Sequence, residues 1–366
     1  MRLAFHTTAS IRRIRRASAA LAGGAMLTAL AACGSMPTAY ELAGVDPNGT
    51  ADVGCPVDAD NDFTGTIRIA WQAIPNADLI VKDMGLLEAC LPQATIEWNQ
   101  FNSGGDVVQA FGSRSIDIGL MGSSPAVRSV SAPLDLPVAI VWIHDIIGDA
   151  ESLVANDDSI TQVADLKGAN IAVPFGSTSH FSLLSALADA GLSETDVHLI
   201  NLDPDKMAAA WTRGEIDAAW VWDPVLSTLR ADGGHIVTSS AQTALTGAAT
   251  YDMEVASEEF ITDNPDVMRI WTAVEDYAAG LISEDPDGSA EMISSQLGND
   301  PDDVAAQLEG YTYPRAAEQS ELFHGDLPGT LKDTAEFLKT QNSLDAVNDD
   351  YADALYTDAI DAVAGE

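Results

Sequence analysis

Apolar positions divide the chain after residue 65 into short strands and amphipathic helices. Apolar runs at 67–71, 95–101, 116–120 and 136–142 predict strands, and helical spacing lies between them at 76–89, 106–113 and after Gly122-Ser123-Ser124-Pro125. The fourth run is almost entirely apolar, as in a parallel strand covered on both faces. This alternation predicts a doubly wound α/β lobe.

A second run of the same kind follows. It predicts strands at 171–173, 197–200, 216–222 and 235–238, with helices at 181–190, at 206–213 and from Pro224. Ala110-Phe111 before Ile116-Asp117 matches Ala210-Trp211 before Ile216-Asp217, at an offset of 100 residues. The shared order of elements predicts a second lobe of like architecture.

Two connections are expected between these lobes. Residues 146–153 leave the first, residues 247–256 return, and the mostly helical remainder from 258 packs on the first lobe. The predicted domains are therefore 65–148 plus 252–366 for lobe 1 and 149–251 for lobe 2. Because ligands bind beyond the carboxyl ends of strands in open α/β sheets, we expect a hinged cleft between the lobes.

The N-terminus has the pattern of an export signal. A basic segment precedes the small apolar residues 17–29, and Leu30-Ala31-Ala32-Cys33-Gly34 resembles a lipobox. The apolar stretch is too short to span a membrane. We predict a lipoprotein signal at 1–33, lipidation of Cys33, and a flexible tether at 34–64. In an oxidising compartment Cys55 and Cys90 would form a disulfide, or else remain two separate thiols.

The charge is strongly acidic, with 17 Lys and Arg against 56 Asp and Glu. Five of the basic residues precede Cys33: Arg2, Arg12, Arg13, Arg15 and Arg16. This excess of acid argues against binding to nucleic acid or to an anionic bilayer by charge. A bound anion would have to be held by local dipoles.

Such dipoles are predicted at Gly176, where a helix begins with Ser177, Thr178, Ser179 and His180. The first N–H groups of a helix form an anion site, and hydroxyls add donors without net charge. Ordinary capping by Ser or Thr is the alternative. The other polar residues at predicted strand ends and on the return crossover are Gln72, Ser123, Ser124, His144, Trp222, Asp223 and Asp252. Neutral donors, an indole and carboxylates together predict a site for a small zwitterion.

Several of these residues have plainer interpretations. Trp220 and Trp222 suit core packing, and Asp223 suits an N-cap before Pro224. His144 and His180 lack the spacing of metal ligands, so no metal site is expected, and no cofactor. Ser177 and His180 could form a nucleophile and base, but no GxSxG elbow is present, and we expect a binding protein rather than an enzyme.

Three segments resemble one known family. VPFGSTSHFSLLSAL, AAAWTRGEIDAAWVWDP and FNSGGDVVQAF…IDIGLMGSSP are similar to the taurine-binding proteins of ABC importers, and TAEFLK and NDDY near the C-terminus also fit. The resemblance covers about 67–351. It implies a two-lobed, type II periplasmic-binding fold that closes on its ligand.

The resemblance also implies the role of particular residues. Ser123 and Ser124 fall in the GSSP turn, Ser177–His180 in an STTHY-like turn, Trp222 and Asp223 in a VW-x-P element, and Asp252 in a T-x-D-x element. Asp252 would hold the ligand ammonium. The expected function is capture of taurine or a similar small sulfonate for an ABC permease and its ATPase, by a lipid-anchored protein on the extracytoplasmic face of the membrane. Binding of nitrate, another alkanesulfonate or a thiamine-pyrimidine precursor is the alternative.

Overall fold

Two separate β-sheets organise the described part of the chain, residues 54–365 of a computed structural model. The predicted signal, Cys33 and most of the predicted tether lie outside the described residues. Lobe 1 is the name used here for the six-stranded sheet with its helices, and lobe 2 for the five-stranded sheet with its helices. Among residues 54–365, no helix is both long and apolar enough to cross a membrane.

Lobe 1 contains six strands that come from two distant parts of the chain. They are β1 (Thr66–Gln72), β2 (Thr95–Phe101), β3 (Ile118–Gly122), β4 (Val138–Ile147), β10 (Tyr251–Ser257) and β11 (Tyr311–Thr312). Their order across the sheet is β11-β4-β10-β3-β1-β2. β1 runs parallel to β2 and β3, whereas β10 is antiparallel to both β3 and β4.

Helices from both ends of the described chain cover this sheet. The N-terminal ones are α1 (Ala77–Met84), α2 (Leu86–Cys90), α3 (Gly104–Gly112) and α4 (Ser123–Ser129). The C-terminal ones are α9 (Glu258–Asp263), α10 (Pro265–Glu284), α11 (Pro286–Leu297), α12 (Pro301–Leu308), α13 (Ala316–His324), α14 (Leu327–Thr340) and α15 (Asp358–Ala364). One apolar core joins both sets, as predicted for the C-terminal remainder.

Lobe 2 is built from one continuous stretch. Its strands are β5 (Glu151–Ala155), β6 (Asn170–Val173), β7 (His198–Asn201), β8 (Ala218–Trp222) and β9 (His235–Ser239), in the order β7-β6-β8-β5-β9. Its helices are α5 (Thr178–Asp189), α6 (Pro204–Thr212), α7 (Val225–Ala231) and α8 (Ser240–Ala244). β5 is antiparallel to its neighbours β8 and β9.

The two sheets follow one plan. In each, three parallel strands are followed by an antiparallel strand that enters from a crossover: β10 in lobe 1 and β5 in lobe 2. The similarity between the two sheets includes equivalent side-chain hydrogen bonds. Asp117 accepts a hydrogen bond from Arg68 N at 2.9 Å before β3, and Asp217 accepts one from Asn170 N at 2.8 Å before β8. Both aspartates therefore join the start of one strand to its neighbour.

The structure corrects two expectations about local structure. β4 is antiparallel to β10 and β11, so the apolar run at 136–142 does not reflect a parallel strand. The apolar run indicates only that both faces of the strand are buried, and this is independent of strand direction. The helix predicted at 76–89 is two helices, because Gly85 adopts a left-handed conformation with φ of 64° and ends α1.

A disulfide joins Cys55 to Cys90 at the end of α2, with a Cα–Cα separation of 4.8 Å. The sequence left this pairing open. The bond attaches the first described residues to the core of lobe 1, since Cys90 is fully buried there.

Candidate functional site

A cavity lies between the two lobes at the carboxyl ends of the parallel strands. Lobe 1 and the segments that follow its strands contribute Gln72, Ile74, Gly104, Gly122, Pro125, Ile147, Asp252 and Tyr311; lobe 2 contributes Glu151, Ser177, Thr178 and Trp222. The space inside is about 20 Å³, close to the volume needed for one water molecule. Any larger ligand requires the walls to move apart.

The approach of the two lobes is closest at Gly122. A Cβ atom built there would lie 2.7 Å from Cγ2 of Thr178 in lobe 2. Only a residue without a side chain allows the end of β3 to meet the start of α5 at this separation. Gly122 thus makes a narrow cleft sterically feasible.

Glu151 is the most heavily hydrogen-bonded carboxylate at the cavity. It begins β5, is fully buried, and accepts hydrogen bonds from Thr178 Oγ1 at 2.6 Å, Ser179 Oγ at 2.8 Å and Ser240 Oγ at 2.6 Å. Burial raises the pKa of Glu151, and these hydroxyl donors oppose the rise because they stabilise the ionised form. The structure therefore directs the hydroxyls of Thr178 and Ser179 to a protein carboxylate.

Ser177 is the N-cap of α5. Its Oγ accepts from His180 N at 3.2 Å and donates to Pro174 O at 2.7 Å. This is the capping arrangement that the sequence offered as the alternative to an anion site. Ser177 also lines the cavity, so the positive end of the α5 dipole faces the space where a ligand would lie.

Asp252 lies at the start of β10, opposite Gly122 on β3 and Asp145 on β4. Burial, aided by the charge of Glu151, raises the pKa of Asp252 to about 8. Burial likewise raises the pKa of Asp145 well above its usual value, and the charges of Asp252 and Glu151 add to this rise. Two carboxyl groups, Glu151 and Asp252, thus line the cavity, and Asp145 lies beside Asp252 on the neighbouring strand.

No Lys or Arg is among the described residues that line the cavity. The aromatic side chains of Trp222 and Tyr311 lie there instead, and Trp222 is directly opposite Glu151 in the pairing of β8 with β5. Carboxylates with aromatic faces form a site for a cation. The cavity therefore combines groups that attract a cation with the positive end of the α5 dipole, and the two meet where Thr178 and Ser179 donate to Glu151.

Comparison with known proteins shows which protein family shares this sequence. The model of the family described as NMT1/THI5 like matches residues 95–289. The taurine-binding periplasmic protein of Escherichia coli K12 is 36% identical over 265 residues, which cover 71% of this chain and 82% of that protein.

The chain belongs to the NMT1/THI5-like family. A putative aliphatic sulfonates-binding protein of E. coli K12 is 37% identical over 169 residues, 46% of this chain and 52% of that protein. The solved structure of the alkanesulfonate-binding protein SsuA from Xanthomonas axonopodis pv. citri, bound to MOPS, superposes with a TM-score of 0.67 at 25% identity and covers 80% of this chain and 98% of that one. The desulfurization enzyme DSZB, at 17% identity and a TM-score of 0.62, shares the fold alone.

These similarities agree with the two-lobed fold that the sequence predicted. The two E. coli relatives and SsuA are binding proteins by name, and the taurine-binding protein of E. coli is also periplasmic by name. The predicted binding residues fall into three groups by their position relative to the inter-lobe cavity.

The first group reaches the cavity. Of the predicted binding residues, Gln72, Ser177, Thr178, Trp222 and Asp252 line it. Gln72 is buried and donates from Nε2 to Leu120 O at 3.0 Å, which fixes the amide at the end of β1.

The second group lies beside the cavity without lining it. Ser123 Oγ accepts from Tyr251 N at 3.4 Å. Ser124 is buried, and its Oγ has no hydrogen-bond partner within residues 54–365. Asp223 accepts from Ser227 N at 2.9 Å and Ser227 Oγ at 2.6 Å, which is the capping role that the sequence offered for it. Ser179 faces Glu151, as described above.

The third group consists of the two histidines. His180 stacks on Phe175, with ring centroids 4.7 Å apart, and lines a separate surface pocket with Arg128. Burial lowers the pKa of His180 to about 4. His144 points into the core of lobe 1, where its Nε2 lies 2.6 Å from Glu254 Oε2. Neither ring lines the inter-lobe cavity.

Sequence reasoning missed Glu151, Asp145 and Tyr311. Glu151 lay inside a segment interpreted only as a crossover, so its strand was not predicted. One signal was present: Glu151 directly precedes the apolar run Ser152–Ala155, and a charged residue at the edge of a buried strand requires partners. Tyr311 comes from the C-terminal helical region, and no local pattern links it to the cleft.

Proposed function

We propose that this chain captures taurine, or a similarly small amino-sulfonate, between its lobes for delivery to an ABC permease. The observation that carries the proposal is the pair Glu151 and Asp252 in one cavity with Trp222 and Tyr311. The cavity lining offers these acids no positive charge, and a ligand ammonium would supply one. The indole face of Trp222 would add cation–π attraction.

The sulfonate of the ligand would lie at the first backbone N–H groups of α5, whose neighbouring hydroxyls are already bound to Glu151. A sulfonate remains ionised at physiological pH, so it requires fixed donors rather than proton transfer. The helix dipole and first-turn N–H groups supply them, together with the second N–H of the Gln72 amide. The names of the relatives, which specify taurine and aliphatic sulfonates, support the same assignment.

Nitrate and simple alkanesulfonates fit this cavity less well, because they have no cationic group. They would gain no attraction from Glu151 and Asp252, and any ionised carboxylate there would repel their negative charge. The acids therefore favour a zwitterion over the alternatives that the fold alone allows.

A hydrolytic role is disfavoured by the geometry of Ser177 and His180. The Ser177 hydroxyl donates to Pro174 O, and the His180 Nδ1 accepts from Gly176 N at 3.2 Å. A nucleophile and base pair requires the hydroxyl to donate to the imidazole. We therefore infer a binding protein without catalytic activity.

Capture would proceed by hinged closure of lobe 1 (65–148 plus 252–366) on lobe 2 (149–251). The narrow cavity corresponds to a closed arrangement, and opening would admit the ligand. The permease and ATPase subunits of the importer would be the protein partners. A lipid on Cys33 would hold the protein on the extracytoplasmic face of the membrane through the tether predicted at 34–64, whose residues from Cys55 onward are attached to lobe 1 by the disulfide. Incorporation of labelled palmitate that depends on Cys33 would support this anchor.

The experiment is calorimetric titration of the exported protein with taurine, ethanesulfonate, nitrate and a thiamine-pyrimidine precursor. We expect saturable heat with taurine and at least roughly tenfold weaker binding of ethanesulfonate, which lacks the ammonium. Equal affinity for taurine and ethanesulfonate would contradict the ammonium subsite. Absence of heat with every sulfonate would contradict the function itself.

A further inference from the structure

Four ionisable side chains meet in the core of lobe 1, outside the inter-lobe cavity. They are Asp78 on α1, His144 on β4, Glu254 on β10 and Glu275 on α10, and each is 0% exposed. Three carboxyl groups and one imidazole share a site without Lys or Arg among the described residues that contact it. Such a group of buried acids is costly unless its charge is compensated.

The polar atoms of this cluster are largely unpartnered. Within residues 54–365, neither carboxylate oxygen of Asp78 or Glu275 has a hydrogen-bond partner of good geometry, and the same holds for Nδ1 of His144. Buried polar atoms in native proteins are almost always partnered. Asp78 Oδ2 lies 3.9 Å from His144 Nε2 and Glu275 Oε2 lies 3.9 Å from His144 Nδ1, so both carboxyl groups border the imidazole and one shared ligand could satisfy them.

Glu254 prepares His144 to act as a metal ligand. Its Oε2 lies 2.6 Å from His144 Nε2, so a proton on Nε2 is donated to this carboxylate and a lone pair is left on Nδ1. The free Nδ1 lies 3.9 Å from Glu275 Oε2. A carboxylate behind the imidazole is the usual orienting partner of a metal-bound histidine.

The remaining ligands are within reach of one ion. One ligand atom from each of Asp78, His144 and Glu275 can be chosen so that all lie within 4.8 Å of one another. Ligand atoms bonded to one ion at about 2.0–2.2 Å lie at most roughly 4 Å from one another. The three side chains would therefore have to move only slightly closer together to bind one ion. The two ligand carboxylates balance a charge of +2, and the third carboxyl group, Glu254, is stabilised by its hydrogen bond with His144 Nε2.

We propose that Asp78, His144 and Glu275 bind one divalent transition-metal ion inside lobe 1, with Glu254 orienting the imidazole. Mixed nitrogen and carboxylate donors select zinc or manganese over calcium and magnesium, which prefer oxygen ligands alone. Because the site is fully buried, the ion is structural and is incorporated as lobe 1 folds. Since β4 and β10 also carry Asp145 and Asp252, the ion fixes the strand pair that forms the acidic end of the cavity.

The first test is elemental analysis of the full chain, produced and exported in a bacterial host and dialysed against metal-free buffer. We expect about one zinc or manganese ion per chain. Protein refolded with a chelator should melt roughly 5 °C lower than protein refolded with the ion. Fewer than about 0.1 ions per chain in both the native and the ion-refolded protein would overturn the proposal and leave protonated carboxyl groups as the compensation.

The second test uses the variant His144→Gln, with His324→Gln as its control. His324 also pairs with a carboxylate, Asp361, but on the surface. Protein refolded with Co²⁺ should show the visible absorption of a cobalt–imidazole site, and this band should be lost in His144→Gln and retained in His324→Gln. Retention of the band in both variants would overturn the assignment. Both measurements are independent of taurine binding, so they separate this site from the proposed function.

Discussion

The two lobes share a strand order but bury their acids in different ways. In each sheet a crossover supplies an antiparallel strand whose first residues face the cleft, and each of these strands brings a carboxylate there: Glu151 on β5 and Asp252 on β10. In lobe 2, Glu151 is surrounded by hydroxyl donors from α5 and α8. In lobe 1, the acids near β10 face other acids and one imidazole. The same topology therefore supports a satisfied carboxylate on one side and carboxylates that require an added cation on the other.

The largest expected effect on taurine affinity comes from Glu151, the carboxylate that accepts hydrogen bonds from three hydroxyl groups. Glu151→Ala removes a charge beside the proposed ammonium and also the acceptor of three hydroxyl groups. Truncating one partner of a buried charge pair costs about 2–5 kcal/mol, so taurine affinity should fall roughly 30-fold or more in calorimetry.

Glu215→Ala is the matched control, because Glu215 is an exposed acid of lobe 2 that pairs only with Arg213 at the surface. It should leave the affinity unchanged. If the Glu151→Ala protein binds taurine normally, Glu151 has only a structural role. The difference between the acids of the two lobes would then have no bearing on ligand binding.

An intermediate effect concerns the pH dependence of Asp252. Its pKa of about 8 in the folded protein is well above the usual 3.8. The free protein therefore loses stability as pH rises from about 4 to 8, because the carboxyl ionises in the unfolded chain while it stays protonated in the fold. An ammonium ligand prefers the ionised form. Taurine affinity should therefore rise with pH, by up to roughly tenfold per unit below pH 8.

The variant Asp252→Asn should remove this pH dependence, because its amide does not titrate in this range. The comparison requires titrations of both proteins at several pH values with the same salt. An unchanged slope in Asp252→Asn would assign the dependence to another group, such as Glu151 or Asp145.

The smallest expected effect concerns the contact between the lobes. Gly122→Ala places a methyl group 2.7 Å from Thr178 Cγ2, so the closed cleft must widen while each lobe remains intact. Overpacking of this kind costs about 1–3 kcal/mol, which predicts roughly tenfold weaker taurine binding with little change in melting temperature of the free protein.

Gly112→Ala provides the control, since a Cβ there meets nothing within 4 Å. Equal affinities of the two variants would indicate that closure does not bring β3 and α5 this close in solution.

The sequence predicted the architecture well because both lobes depend on local periodicity. Apolar runs separated by amphipathic segments located eight of the eleven strands of the described chain, and motifs such as GSTSHFSLL identified the start of α5; β5 and β10, interpreted only as crossovers, and β11 were missed. The boundaries shifted where geometry outside the pattern decided them, as at Gly85. The antiparallel direction of β4 was missed because an apolar run reports burial and not strand direction.

What only the tertiary structure decided is which distant polar groups meet. The sequence placed hydroxyls at the start of α5, but their orientation toward Glu151 depends on β5 pairing with β8. It likewise gave no link between Asp78, His144, Glu254 and Glu275, which lie on two helices and two strands far apart in the chain. They meet because β10 returns between β3 and β4 and α10 packs behind it. Local pattern determines which faces are buried, whereas the order of strands in the sheet determines which buried groups become neighbours.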